Sequence, residues 1–144
     1  MTPSRILPDL QCSLLCEDVR QEMSGNFILI GVINYVRVMQ LPVTAIKVCL
    51  FNRWVAGYGQ FLESVRLIAP DQTTVLRKSE RRFALQDVTH NATTVAVWSP
   101  ITFETPGAYY VEVLVDDVMK LRFPIAVMVV PPEQRPEAGP QKEA

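Results

Sequence analysis

Short apolar runs and alternating apolar and polar residues recur along most of the chain. Segments rich in Val, Ile, Thr, Phe and Tyr are separated by Pro, Gly, Asn and Asp, which favour turns. The pattern predicts strands near eight segments: Leu10–Cys16, Phe27–Val38, Thr44–Trp54, Gln60–Ala69, Thr74–Phe83, Thr93–Trp98, Ala108–Val115 and Met119–Val129. Such spacing of strands and turns is typical of an antiparallel sandwich or barrel.

One segment carries a helical spacing instead. In "SLLCEDVRQEM", Leu15, Val19 and Met23 are four residues apart. We therefore expect at most a short helical turn near residues 17–23. A longer helix has no room before Gly25.

The two longest apolar segments differ in their patterns. Phe27–Val38 is apolar on both faces for most of its length, which predicts a central strand. In Thr44–Trp54, Cys49 and Phe51 share a face with charged residues, which predicts an exposed apolar patch suited to an interface. The opposite face of this segment carries Ile46, Val48 and Leu50.

The stretch "YYVEVLVDDVMKLRF" predicts a hairpin at Asp116–Asp117. Apolar residues occupy odd positions on both sides of the acids. A register that pairs Val115 with Met119 keeps them on one face and leaves a three-residue loop. A two-residue turn on the acids instead requires a bulge in the second strand. The odd register also places Glu112 opposite Arg122 as a surface ion pair.

Adjacent acids are also candidate calcium ligands, and calcium takes about six to eight oxygens. Two acids supply too few of them. The other carboxylates, Asp71 and Asp87, lie in separate predicted loops. A turn is therefore the favoured interpretation of Asp116–Asp117, and a metal-binding module is an alternative function.

Composition predicts one domain over residues 1–130 and a disordered tail over residues 131–144. The tail sequence "PPEQRPEAGPQKEA" is rich in Pro, Glu, Gln and Ala and has no apolar periodicity. The mean hydropathy of the chain nevertheless lies on the apolar side for a soluble domain. This surplus favours a subunit interface and hence a homo-oligomer.

The balance of charges and the length of the apolar runs argue against nucleic acid and membranes as partners. The chain has 14 basic and 15 acidic residues, so no overall positive field attracts nucleic acid. Its longest apolar stretch, "FILIGVINYV", is much shorter than the roughly 20 residues of a membrane helix. The first ten residues contain no apolar run of signal-peptide length, and three cysteines fit reduced thiols better than a disulfide framework. These features predict a soluble, cytoplasmic protein.

The cysteines are interpreted as small core residues. On a strand, Cys12 and Cys16 share a face with Leu10 and Leu14. A zinc site would need Cys49 and His90 to converge on them, and they lack the usual C-x₂-C spacing. A cysteine nucleophile would need His90, the only histidine, which lies in a turn-like segment.

The run "RKSERR" (residues 77–82) is the single basic patch. We interpret it as an exposed edge strand whose charges prevent edge-to-edge pairing. Anion or nucleic-acid contact is the alternative, although no interleaved aromatic residues indicate base stacking.

The segment "CEDVRQE" holds the candidate binding site, formed by Glu17, Asp18, Arg20 and Glu22. Carboxylates near an arginine can perform acid–base chemistry. A local salt-bridge network that organises a loop is the commoner role of such a cluster. Neither a Gly-rich phosphate loop nor an H-E-x-x-H or G-x-S-x-G motif occurs, and we predict no cofactor, no metal site and no catalytic residue.

Two segments carry a resemblance to known families. "TPGAYYVEVLVDD" resembles the P-G-x-Y turn and strand of immunoglobulin-like and fibronectin-like sandwiches. The resemblance implies that Tyr109 enters the core and that its hydroxyl bonds a backbone group slightly upstream. "LLCEDVRQEMSGNFILIGV" resembles the opening of a small bacterial family of unknown function. Together they imply an immunoglobulin-like β-sandwich of about 7–8 strands and no particular reaction.

Three functions are compatible with these features. A non-enzymatic β-sandwich that acts through protein contacts and self-associates is favoured, with any other partner unidentified. A small enzyme or ligand-binding protein that uses Glu17, Asp18, Arg20 and Glu22 is the first alternative. It requires a concave pocket beside those residues. A metal-binding module is the second alternative.

Overall fold

The computed structural model describes residues 5–134, which form eleven strands and one 3-10 turn. The elements are β1 (Asp9–Gln21), β2 (Phe27–Val32), β3 (Val36–Val38), β4 (Val43–Ala45), β5 (Val48–Val55), β6 (Gly59–Ile68), β7 (Val75–Leu85), β8 (Asn91–Trp98), β9 (Ile101–Phe103), β10 (Gly107–Val115), β11 (Val118–Val129) and the 3-10 turn Pro132–Gln134. The predicted all-β fold is confirmed. Most of the predicted tail, residues 131–144, lies outside the described residues.

Two sheets form the layers of a β-sandwich. Their strand orders are β2-β1-β5-β8 and β3-β11-β10-β6-β7, and only the β3–β11 pair is parallel. Alternate residues of each strand point between the layers, where apolar side chains interdigitate. The buried core includes Leu15, Val48, Leu50, Trp54, Phe61, Val65, Leu67, Trp98, Val111, Val113 and Val115. A small β4–β9 sheet adds Ile101 and Phe103 to it.

The predicted central strand Phe27–Val38 is divided between the two layers. β2 is an edge strand of one sheet, whereas β3 pairs with β11 in the other. The prediction of a central strand is therefore wrong. Ile33 and Val36, which flank the crossing, both pack against the core, so the apolar run continues while the chain changes layer.

The predicted strand Thr44–Trp54 is likewise divided into β4 and β5. Ile46 lies at the break and is 86% exposed, although its neighbours in the pattern, Val48 and Leu50, are buried. The break therefore ends the period-2 alternation that placed Ile46 on their face. The remaining additional strand, β9, has three residues and pairs with β4.

Strand β1 continues through the segment for which a helical turn was expected. Asp18, Val19 and Arg20 pair with β2 in a regular antiparallel register. At the other end, a register shift between Leu10 and Cys12 marks a bulge. Leu10 therefore packs on the core side, opposite Trp54, and does not share a face with Cys12 as predicted.

The outer face of β5 is covered rather than exposed. Cys49 is 2% exposed and Phe51 is 6% exposed, so the predicted apolar patch at these residues is wrong. The sheet curls, and the β1–β2 hairpin brings Phe27 to 5.7 Å from the Phe51 ring, measured between ring centroids. Phe27 and its neighbours thus cover the face that the alternation left open.

The β10–β11 hairpin has a two-residue turn. Asp116 and Asp117 adopt φ angles of +47° and +66°, and Val115 pairs with Val118. The three-residue loop is therefore wrong, and the alternative with a bulge is correct. The bulge moves Met119 opposite Leu114 and restores the odd register at Val113.

Further along the same hairpin, two predictions are confirmed. Glu112 lies opposite Arg122 and forms an ion pair with it at 3.4 Å. Tyr109 is 2% exposed, and its hydroxyl donates a hydrogen bond of 2.7 Å to the carbonyl oxygen of Thr105. Gly107 supplies the positive φ, +136°, at the start of this strand.

The basic run also lies where the sequence predicted. It belongs to β7, the edge strand of the five-stranded sheet. Four of its six residues are basic and would repel a second basic strand.

Candidate functional site

The predicted cluster of four residues is divided between the faces of β1. Asp18 and Arg20 project to one face and Glu17 to the other, because successive strand residues alternate. Glu22 lies beyond the end of β1 and is exposed. The fold therefore does not bring the four side chains together as one site.

Asp18 is the centre of a small ion network. Its carboxylate accepts hydrogen bonds from Lys47 at 2.7 Å and from Arg20 at 3.1 Å. The hydrogen bonds from Lys47 and Arg20 lower the pKa of Asp18 to about 2, and the Asp18 carboxylate raises the pKa of Lys47. This network ties β1 to the segment before β5, which is the structural role considered for the cluster.

Glu17 faces a cavity of about 600 Å³ between the two layers. The cavity lies where the chain crosses from β2 to β3, and it is bounded by β1, β3, β4 and β5. Leu15, Val48 and Phe103 are buried in its wall. Of the four predicted residues, only Glu17 lines it. The concave pocket required by the ligand-binding alternative is therefore present beside one member of the cluster.

Gly31 of β2 fixes the space that Glu17 occupies. A Cβ atom at Gly31 would lie 2.6 Å from both the carboxyl carbon and Oε1 of Glu17. Gly31 also has a φ of +67°, which favours glycine. The Glu17 side chain consequently lies across the backbone of the neighbouring strand, at the edge of the cavity.

The free edge of β2 is a second candidate surface. Ile28, Ile30 and Val32 are 43%, 39% and 47% exposed, and they pair with Arg20, Asp18 and Cys16 on the same side of the sheet. The strand sequence "FILIGV" has no charged residue. An uncharged edge with exposed aliphatic side chains can pair with another strand.

A buried polar cluster inside the core was missed by the sequence analysis. Glu63 is 2% exposed, and its Oε2 accepts hydrogen bonds from Trp54 Nε1 at 2.7 Å, Asn52 Nδ2 at 3.1 Å and Thr94 Oγ1 at 2.5 Å. Three donors offset the cost of burying a carboxylate. The available signal was an acid on the otherwise apolar face of β6 formed by Phe61, Glu63, Val65 and Leu67.

This cluster joins the two layers, because Glu63 belongs to one sheet and its three donors to the other. A cavity of about 360 Å³ also touches Glu63 between β7 and β8. Arg81 lies opposite Glu63 in the sheet register and lines the same cavity. All three donors converge on one oxygen in the core, which indicates a stabilising role for Glu63.

The cysteines do not assemble a zinc or nucleophile site in the described part of the chain. Cys16 and Cys49 are opposite each other on β1 and β5 and are buried, and burial raises the pKa of both thiols. Cys12 is partly exposed. His90 lies in the β7–β8 connection, whereas Cys49 pairs with Val97 at the far end of β8.

The acids of the predicted loops are likewise held separately. Asp71 accepts hydrogen bonds from Thr74 and Thr73, which lower its pKa to about 2. Asp87 accepts hydrogen bonds from Thr89, and Asp116 from Arg5 and the Leu62 amide. Within residues 5–134, no three His, Cys, Asp or Glu side chains are grouped to hold a metal ion.

The basic run contributes few convergent side chains. Arg77 donates to the carbonyl oxygen of Pro100, and Lys78 pairs with Glu80 at 3.5 Å. Both residues thereby have contacts within the domain. The run remains an edge strand, and its residue Arg81 lines the cavity of about 360 Å³ beside Glu63.

Comparison with known proteins gives one family. Residues 11–128 match the family described as a family of unknown function, DUF6941. The matched range extends from β1 into β11 and so includes the β2 edge, the Glu17 cavity and the Glu63 cluster. No curated protein matches the chain. The described residues contain no helix long and apolar enough to cross a membrane.

Proposed function

We propose that this chain, which belongs to the DUF6941 family of unknown function, is a non-enzymatic β-sandwich that acts through protein contacts and self-associates through β2. One observation carries the proposal: β2 is an edge strand without charge that leaves Ile28, Ile30 and Val32 exposed. The backbone N–H and C=O groups on its free side are available to a further strand.

The contrast with β7 supports this choice of surface. Both strands are edges of the larger sheets. β7 carries Arg77, Lys78, Arg81 and Arg82, which oppose edge-to-edge pairing, whereas β2 carries no such protection. A solvent-exposed apolar edge would be an aggregation hazard unless a partner covers it.

A second copy of this chain is the occupant that fits. Two β2 strands can pair antiparallel about a two-fold axis, so the same residues meet from both sides and the interface closes. Ile30 lies near the middle of the strand and so near that axis. The result is a continuous sheet of twice four strands, in which aliphatic side chains meet each other across the join.

The oligomeric state tests the proposal. Light scattering after gel filtration, over a range of protein concentrations, should give a mass near twice 16.3 kDa for the native chain. Ile30→Lys should shift it towards 16.3 kDa, because two lysines would meet at the axis. Val97→Lys is the matched control, since Val97 is 54% exposed on β8, the opposite edge of the same sheet. A monomeric native chain at every concentration, or equal dissociation by both variants, would sink the proposal.

Ligand binding is a second candidate function, favoured by the cavity beside Glu17.

We also propose that the protein is bacterial and cytoplasmic and that its sandwich is of the immunoglobulin-like class. Three free thiols support a reducing compartment, and the Tyr109 corner supports the class of sandwich.

A further inference from the structure

We infer that the cavity of about 360 Å³ between β7 and β8 binds a free α-amino acid. The ammonium group of the ligand lies on Oε1 of Glu63, and its carboxylate lies on the guanidinium of Arg81. The side chain of the amino acid lies along β8. This site is at the opposite edge of the sheet from β2 and is independent of self-association.

The cavity lies at an open side of the sandwich, where β7, an edge of one sheet, meets β8, an edge of the other. Glu63 and Arg81 are opposite each other on β6 and β7, and paired residues share a face. Glu63 is 2% exposed and forms the floor, whereas Arg81 is exposed and lies at the mouth. The volume falls in the range of small-molecule sites, about 300–1,000 Å³.

Glu63 has one carboxylate oxygen without a partner. Its three donors, Trp54, Asn52 and Thr94, all bond Oε2, and within residues 5–134 no group donates to Oε1. Oε1 is not fully enclosed, in contrast to the buried and unpaired Oδ1 of Asn52, so it faces the cavity. A carboxylate oxygen at this depth is costly to leave without a donor, and a ligand ammonium supplies one.

Arg81 supplies the matching cation. Arg77, four residues earlier on the same face of β7, donates to the carbonyl oxygen of Pro100. Arg81 has neither a hydrogen bond nor an ion pair in the described part of the chain, and it does not pair with Glu63 although the two are opposite each other. The cavity therefore has a free acceptor at its floor and a free guanidinium at its mouth, a group suited to carboxylates.

This arrangement favours a zwitterion over an ion of either sign. Arg81 would repel a simple cation bound at Oε1, and Glu63 would repel a simple anion bound at the guanidinium. An α-amino acid carries both charges on one carbon atom and so satisfies both groups at once.

The remaining walls suit the rest of an amino acid. The hydroxyl oxygen of Ser79 accepts a hydrogen bond from Trp98 Nε1 at 3.3 Å, so its own hydrogen is available to the ligand carboxylate. The β8 side of the cavity is formed by Val95, Ala96 and Val97. An aliphatic side chain lying there would be partly removed from water, which favours binding.

An NMR titration of the isotope-labelled full chain with three probes tests the inference. The probes are L-valine, isobutylamine, which lacks the carboxylate, and isovalerate, which lacks the ammonium group, all at neutral pH. We expect L-valine to bind at least about tenfold more tightly than either analogue, because each analogue loses one charged hydrogen-bonded contact. L-Valine should also shift the backbone amide signals of Ser79 and Ala96. No binding of L-valine, or an analogue that binds as tightly, would overturn the inference.

Two variants assign the contacts. Arg81→Gln changes an exposed residue and should reduce L-valine to the affinity of isobutylamine without weakening isobutylamine. Glu63→Gln keeps an oxygen for the three internal donors but turns an amide N–H₂ towards the ligand ammonium, so it should abolish binding of L-valine and of isobutylamine.

Arg82→Gln is the matched control, since Arg82 is adjacent in sequence but does not line this cavity, and it should leave all three affinities unchanged. Unchanged L-valine affinity in Arg81→Gln would rule out the site. The Ile30→Lys variant should bind L-valine as the native chain does, so failure of self-association and failure of amino-acid binding are separate results.

Discussion

The indole nitrogen of Trp54 donates a 2.7 Å hydrogen bond to Oε2 of Glu63, and this bond crosses from one layer of the sandwich to the other. Asn52 and Thr94 donate to the same oxygen. The centre of an otherwise apolar core is thus held by a carboxylate that faces three donors. Removing the acceptor leaves all three donors buried without a partner.

Replacing Glu63 should therefore be among the most damaging changes in the core. Glu63→Leu is expected to lower the free energy of unfolding by about 3–5 kcal/mol, because three buried neutral donors lose their acceptor. Urea denaturation followed by tryptophan fluorescence measures the loss. Glu104→Leu, at an exposed position, should change stability by under about 0.5 kcal/mol. Similar losses in the two variants would contradict the role of Glu63 as the link between layers.

The Tyr109 hydroxyl gives a second stability prediction. Tyr109→Phe removes the donor to Thr105 and leaves a part-buried carbonyl oxygen unpaired, so we expect a loss of about 1–3 kcal/mol. Tyr110→Phe should cost under about 0.5 kcal/mol, because the ring contact with Arg122 is retained. Chemical denaturation of both variants compares them, and a larger loss at Tyr110 would reverse the assignment of faces.

The Asp18 network should make folding sensitive to acid. Folding lowers the pKa of the Asp18 carboxyl group from 3.8 to about 2. Between these pH values the Asp18 carboxyl group therefore binds more protons in the unfolded chain than in the folded one. The stabilisation is therefore present above the unfolded pKa of 3.8 and is lost as the pH falls towards 2. Asp18→Asn should flatten the fall in stability between pH 5 and pH 2, measured by urea denaturation at a series of pH values.

The pKa of Asp71 is also lowered to about 2, so Asp71 contributes to the same loss of stability between pH 5 and pH 2. Asp18→Asn should therefore reduce this loss only in part. Asp117→Asn is the control, because this exposed turn residue has no hydrogen-bond or ion-pair partner in the described part of the chain. If the native chain and Asp18→Asn lose the same stability between pH 5 and pH 2, the ion network does not form in solution.

The contact between Gly31 and Glu17 can be measured by a double-mutant cycle. Gly31→Ala should cost more than the roughly 1–2 kcal/mol expected for a left-handed backbone alone, because the new methyl group meets the Glu17 carboxyl group. Glu17→Ala in the same chain should recover part of that loss. Gly25→Ala is the matched control, since its φ is +97° but nothing lies within 4 Å of its Cβ position. Strict additivity at positions 17 and 31 would mean that the two residues do not touch.

The sequence by itself determined the strands and most of their facing. Period-2 alternation follows from the pleated backbone, so it can be read locally. Tyr109, Val111 and Val113 are buried on one side as the pattern predicted, and Glu112 meets Arg122 on the other. The charged edge at β7 was also predictable, because protection of an edge requires particular residue types within one strand.

Only the tertiary structure decided what covers each face. Alternation places Cys49 and Phe51 on one side of β5, but the curl of the β1–β2 hairpin buries them. In the segment 27–38 the apolar pattern continues past Gly31 and Asn34, where the chain changes layer, because both layers share one apolar core. The Glu17 cavity and the partners of Glu63 arise from strands far apart in sequence. Periodicity states which way a side chain points, whereas its neighbours depend on how distant strands are brought together.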